Sequence, residues 1–142
     1  MNLTLPLTTR PIRMTRHLCV CFAVMLLGRL VAAQASDVAG TWRGESLCAT
    51  EASACHNEKV VYYIKDVADR PAAVMIQADK IVDGKAITMG TGEWQYDRVA
   101  HSLEWRSPRQ VWHLQVNGNW IEGTLTLEDK TVFRKMTLKK DE

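Results

Sequence analysis

The chain has 142 residues, with 18 Lys and Arg against 16 Asp and Glu for a net charge of +2. Four of those arginines and none of the acids fall in positions 1–35, so the rest of the chain, from Ser36 to Glu142, carries 14 bases against 16 acids, a net −2. That balance lacks the basic footprint of a nucleic-acid binder, and the stretch from Ser36 to Glu142 is long enough for one domain with one modest core.

Positions 1–35 read as a cleaved secretory signal. Arg10, Arg13, Arg16 and His17 form a basic leader, with Met14 the tidier start of the two methionines that precede the apolar run. That run extends from Leu18 to Gly28, and Ala33-Gln34-Ala35 supplies the small-x-small pattern of a signal peptidase site. The run is shorter than the ~20 residues a spanning helix needs, so no membrane span is expected in the processed chain. The expected location is the periplasm or the secreted fraction.

From Ser36 onward no helical period appears, and turn signals recur every 8–12 residues, the mark of an all-β sandwich or barrel. The first strand runs from Gly40 to Cys48, with Trp42, Gly44 and Ser46 on one face. Cys48 and Cys55 are the two cysteines left after the leader. In an oxidising compartment they pair most simply as one disulfide, closing the Ala49–Asn57 loop and contributing roughly 2.5 kcal/mol through chain entropy. A metal site with His56 falls short of the four ligands of a closed zinc centre. No metal and no cofactor are expected.

The second strand, Glu58 to Val67, sets Val60, Tyr62 and Ile64 against Val61, Tyr63 and Lys65. A turn at Ala68–Pro71 leads into a third strand, Ala72 to Val82, with Val74, Ile76 and Ala78 on one side. Asp83-Gly84 is a strong hairpin signal. In the fourth strand, Lys85 to Asp97, Ile87 and Met89 have the opposite parity to Trp94 and Tyr96. A bulge near Gly90 and Gly92 would let both sets face inward. After a turn at Arg98–His101, Leu103 and Trp105 share a face of a fifth strand that ends at Pro108. The sixth, Arg109 to Val116, alternates Trp112, Leu114 and Val116 against Val111, His113 and Gln115. Asn117-Gly118-Asn119 turns into Trp120–Leu127, where Ile121, Gly123, Leu125 and Leu127 share a face. In the last strand Val132, Arg134, Met136 and Leu138 line one side, and Lys139–Glu142 is a solvated tail. Eight strands joined by short turns close naturally into a single antiparallel up-and-down barrel, which removes both edges. A two-sheet sandwich is the alternative.

Gly40-Thr41-Trp42 on the first strand and Arg134 on the last resemble the Gly-x-Trp and late-strand Arg signature of the calycin barrels, the lipocalins and avidins. The resemblance implies that Trp42 plugs one barrel end, that Arg134 packs across its ring in a cation–π contact, and that ligand enters at the other end. The chain is shorter than a lipocalin and has no C-terminal helix. It also lacks a recognisable set of biotin-contacting residues. Signal, disulfide and size are similar to the secreted bacterial protease inhibitors of avidin-like fold, and the chain as a whole resembles small exported bacterial proteins of unknown function.

All five tryptophans of the chain fall after the leader, an excess that calls for an explanation. Tyr62, Trp94, Tyr96, Trp105 and Trp112 are the candidate ligand contacts, as the aromatic wall of a small-molecule pocket. Against that stands a filled interior, since eight strands enclose a space just wide enough for side chains. Trp120 belongs to the polar face and is expected at a rim. Catalysis is not expected. His56 and His101 fall in loops, His113 lies opposite the apolar face, and Glu93, Asp97 and Glu104 read as exposed acids on a solvated face. The expected partner is a small apolar or amphipathic molecule. The alternative is a secreted protein, with this chain inhibiting a secreted hydrolase through the cysteine loop or Ser36–Ala39.

Overall fold

Each of the alternating segments becomes a strand. A computed structural model describes residues 36–51 and 54–142; the leader and its cleavage signal lie outside them. The strands are β1 (Gly40–Cys48), β2 (Glu58–Asp66), β3 (Ala73–Val82), β4 (Lys85–Asp97), β5 (Ser102–Ser107), β6 (Gln110–Asn117), β7 (Trp120–Leu127) and β8 (Val132–Lys140). They pair in chain order, and β1 pairs antiparallel with β8, so the sheet closes into a barrel with no sandwich split. This architecture is compatible with a calycin-like fold. Among the described residues no helix is long and apolar enough to cross a membrane.

The alternation read from the sequence sorts inside from outside. Trp42, Val60, Tyr62, Ile64, Val74, Ile76, Trp94, Tyr96, Leu103, Leu114, Val116, Ile121, Met136 and Leu138 form one buried cluster. Two register slips alter the expectation locally. Ala78 pairs with Gly90 and Asp79 with Thr88, which leaves Met89 as the extra residue of a bulge one position before the glycines. The bulge does not bring Ile87 and Met89 into the core: they are 46 and 44 % exposed, because the β3–β4 hairpin projects past the strands that would cover them. In β8, Leu125 pairs with Arg134 but Thr126 pairs with Val132. Val132, expected inside, is therefore carried to the outer register and is exposed.

The end of the barrel that carries Trp42 is closed by residues 36–39. Val38 is fully buried, and the Trp42 indole N–H donates to its carbonyl at 2.8 Å. The Ser36 amide donates to Asp66 Oδ2 at 2.9 Å, and the Tyr96 phenol donates to Asp37 Oδ1. His101 Nδ1 lies 3.2 Å from Asp37 Oδ2. Ser36–Ala39 is thus a lid packed onto the barrel. Lys140, expected in a solvated tail, is the last residue of β8; its Nζ donates to the Asp37 carbonyl at 2.7 Å and lies 5.3 Å from the centre of the Trp42 ring.

Lys140, and not Arg134, therefore covers Trp42. In the β1–β8 register Trp42 faces Lys140 while Arg134 faces Cys48, at the other end of β1. At about 3.3 Å per residue that separates the two by ~20 Å. The cation–π partner implied by the resemblance lies at the opposite end of the barrel.

Two glycines permit the close passage of neighbouring strands. A Cβ on Gly44 would come within 2.0 Å of the Thr137 carbonyl oxygen, and one on Gly123 within 2.2 Å of that of His113. Backbone cannot yield as a side-chain tip can. Gly44→Ala and Gly123→Ala are each expected to cost about 1–3 kcal/mol or more, read as a lowered denaturation midpoint, whereas Gly90→Ala, with nothing within 4 Å of its Cβ position, should be near neutral.

The lid also sets the acid sensitivity. The phenol of Tyr96, with His101 adding to it, holds the Asp37 carboxyl below its ordinary 3.8, and the hydrogen bond from Ser36 does the same for Asp66. Folded values below unfolded ones mean that this stability is present above about pH 4 and is lost as pH falls through the folded values. Thermal unfolding followed from pH 6 to pH 2 should show a flatter acid limb in the Asp37→Asn, Asp66→Asn double variant than in the parent.

Candidate functional site

At the far end of the barrel the sheet comes apart. β4 pairs with β5 only through Gln95, Tyr96 and Asp97 against Glu104, Leu103 and Ser102. Beyond Trp94 and Trp105 the two strands run on without a ladder, and a cavity of about 330 Å³ opens behind the gap. Its lining includes Tyr62, Ile76, Gly90, Trp94, Trp105 and Trp112, with Met89 at the mouth.

The cavity exists because β4 supplies no side chains where the ring needs them. Gly90 and Gly92 occupy successive inward positions in register with Ala78 and Ile76. A Cβ at Gly90 meets nothing within 4 Å, and one at Gly92 would meet only Trp105 Nε1, at 3.6 Å. The tryptophans of the neighbouring strands frame the space thus left. The Trp94 ring centre is 6.5 Å from that of Trp105 and 6.4 Å from that of Trp112, at 36° and 44°. These are the tilted arrangements aromatic pairs prefer.

Four of the five residues expected to contact a ligand, Tyr62, Trp94, Trp105 and Trp112, line this one cavity. Tyr96 does not. It belongs to the closed end, where its hydroxyl is engaged by Asp37. A larger hollow of about 520 Å³ beside Tyr96 is a solvent-open groove between Pro71–Ala72 and Gln95–Arg98, lined otherwise by exposed residues. It offers no enclosing wall. Trp120 sits at the rim of the closed end, 44 % exposed, with Lys139 Nζ 5.9 Å from its ring centre.

The polar groups around the cavity differ from those of the lid. Tyr62 is 2 % exposed and has no hydrogen-bond partner among the described residues. Burial, reinforced by Glu58 and opposed by Arg134, pushes its phenol above the usual tyrosine range. It therefore stays protonated at any physiological pH.

Arg134 has a structural task at this end. Its Nη1 lies 3.3 Å from Glu58 Oε2 and donates to the Ser46 hydroxyl and the His56 carbonyl at 3.3 and 3.2 Å. It thereby ties the cysteine loop to the barrel wall. Cys48 and Cys55 are joined as a disulfide across that loop, with Cα atoms 5.9 Å apart, so their sulfurs are not metal ligands. Each of the exposed acids is engaged by a local partner. Glu93 is held by Arg70 at 2.6 Å, Glu104 by Arg106 Nη2 at 2.7 Å, and Asp97 accepts the amides of Val99 and Ala100.

Arg134→Met removes the clasp while keeping most of the apolar stem, and leaves Glu58 with only Lys80, 3.8 Å away. Loss of charged hydrogen bonds of this kind costs about 1.5–3 kcal/mol. The expected result is a lower denaturant midpoint together with faster proteolytic nicking between residues 49 and 57, despite the intact disulfide.

No protein-family model matches this sequence, nor does any curated protein.

Proposed function

We propose that this protein is an exported carrier that binds a small apolar or amphipathic molecule in the cavity between β4 and β5, after removal of a signal peptide ahead of Ser36. One observation carries the reading: three tryptophans and a tyrosine converge on an unfilled space of about 330 Å³ that opens to the outside through a gap in the sheet. Small-molecule sites have this character, concave, mostly apolar and of ~300–1,000 Å³. The disulfide suits an oxidising compartment, and the closed barrel is the architecture in which lipocalins and avidins hold their ligands. Because the mouth is a lateral seam, the ligand enters through the wall beside Met89 and Gly92.

Binding is tested with the neutral fluorescent probe N-phenyl-1-naphthylamine. It should bind with one saturable site and quench tryptophan emission. Gly90→Leu, which places a side chain into open space without backbone strain, should weaken that binding at least tenfold with the thermal midpoint unchanged or raised. Equal binding by Gly90→Leu and parent would remove the cavity as the site. Native mass spectrometry of the gently purified protein then looks for an acid-releasable cargo.

A second reading is favoured by the way the cysteine loop is pinned, by the disulfide at its base and by Arg134 at His56. A loop pinned at its base suits an inhibitor that docks into an enzyme cleft. Replacing Glu51 and His56 by alanine should leave probe uptake untouched and weaken hydrolase inhibition if the loop is the working surface.

A further inference from the structure

We propose that the cavity selects its ligand by an acceptor oxygen presented to the Tyr62 hydroxyl, so that the occupant is a flat apolar molecule bearing a carbonyl group and not a bare hydrocarbon. This rests on the carrier reading above and names the ligand class for the same site.

The inference starts from a contrast between aromatic side chains of the same kind. At the closed end the polar tips are paired: the Trp42 N–H with the Val38 carbonyl and the Tyr96 hydroxyl with Asp37. Around the cavity, among the described residues, neither the Tyr62 hydroxyl nor the N–H of Trp94, Trp105 or Trp112 has a hydrogen-bond partner. Trp105 and Trp112 are only partly buried, but Tyr62 is 2 % exposed, and a buried tyrosine ordinarily finds a partner. Among the described residues, the sealed and unpaired side-chain polar atoms are Ser36 Oγ and Thr50 Oγ1. Tyr62 Oη is neither paired nor sealed, so it is open to the cavity that its side chain lines.

The chemistry of these groups points one way. An indole N–H can only donate, and a phenol held in its protonated form donates strongly. Trp105 Nε1 sits near the mouth, 3.6 Å from the Cβ position of Gly92. The wall thus presents donors at its depth and at its entrance; Thr91 and Gln110 are its other polar side chains, and the rest of the lining is apolar. A hydrocarbon filling the space would strip water from Tyr62 and leave it unpaired, which is unfavourable. A carbonyl oxygen directed at the phenol avoids that cost, while the ring body lies against Trp94 and Trp112. A site with a buried polar group discriminates strongly against ligands that lack its partner.

The test uses two probes that differ only in C=O against C=CH₂, 2-acetylnaphthalene and 2-isopropenylnaphthalene, titrated calorimetrically against protein produced from the full chain in a secreting host. Tyr62→Phe should weaken 2-acetylnaphthalene binding roughly three- to tenfold and leave the hydrocarbon unchanged or tighter. The change in the ratio between probes removes their unequal hydrophobicity from the comparison. An infrared readout on the parent protein needs no variant: the bound ketone stretch should lie below its position in hexane. A ratio unaltered by Tyr62→Phe, or an unshifted ketone stretch, would overturn acceptor recognition while leaving the cavity reading in place. If neither probe binds the parent, or if Gly90→Leu does not reduce both, the cavity reading itself fails and this inference with it.

Discussion

Closing eight strands into a ring creates an interior that side chains must fill, and at two successive inward positions of β4 there is no side chain to do it. Gly90 and Gly92 are the deficit around which the open half of the barrel is arranged. Neighbouring inward positions on β2, β3, β5 and β6 carry Tyr62, Ile76, Trp105 and Trp112, yet none reaches the space opposite Gly90. The same glycines weaken the strand that bears them, since glycine gives a ladder neither packing nor conformational restraint. The Met89 bulge beside them and the early end of the β4–β5 ladder fit that weakness. Missing volume and missing pairing are two consequences of one local composition.

The two ends of the barrel divide the labour. At the lid end, apolar burial of Trp42 and Val38 is combined with paired polar groups, and Lys140 contributes both an ammonium over the indole and a hydrogen bond across the lid. At the other end Arg134, paired with Glu58, and the disulfide tie the base of the cysteine loop to the barrel wall. The ion pair there is half-buried, so its chief effect is geometric, because removing one partner strands the other.

Much of the fold was legible because β structure has a period of two and the turns carry strong chemistry. Asp83-Gly84 and Asn117-Gly118-Asn119 mark hairpins by residue type alone, and the parity of Trp42, Tyr62, Ile76, Leu114 and Leu138 separates inside from outside. What parity cannot give is height along the barrel. Tyr96 and Trp94 share a face, but one step along the strand is enough to put one in the lid and the other in the cavity wall. Arg134 matched the resemblance by residue type and by strand, and the β1–β8 register placed it at the wrong end for Trp42. A bulge breaks the rule outright in β8, which is why Val132 ended outside, and Ile87 is exposed because its hairpin runs past the strands that would cover it. Val61 and Asp79 are buried although their register is outward; they face each other across the β2–β3 ladder, and the Gln77 amide donates to Asp79 Oδ1, a pairing no single strand records.

Magnitudes bear on why such a hollow persists. A sealed dry void of about 330 Å³ would cost ~8 kcal/mol at ~24 cal/mol per Å³, as much as the whole stability of an ordinary domain. Opening the seam lets water in and removes most of that cost, but water against four aromatic faces is poorly hydrogen-bonded and readily displaced. An occupant that covers those faces and answers the Tyr62 hydroxyl gains from both changes at once. By linkage it stabilises the barrel in proportion to its own affinity. The residues that leave the interior incomplete are then the same ones that make filling it favourable, which places binding and the last part of folding on a single free-energy scale.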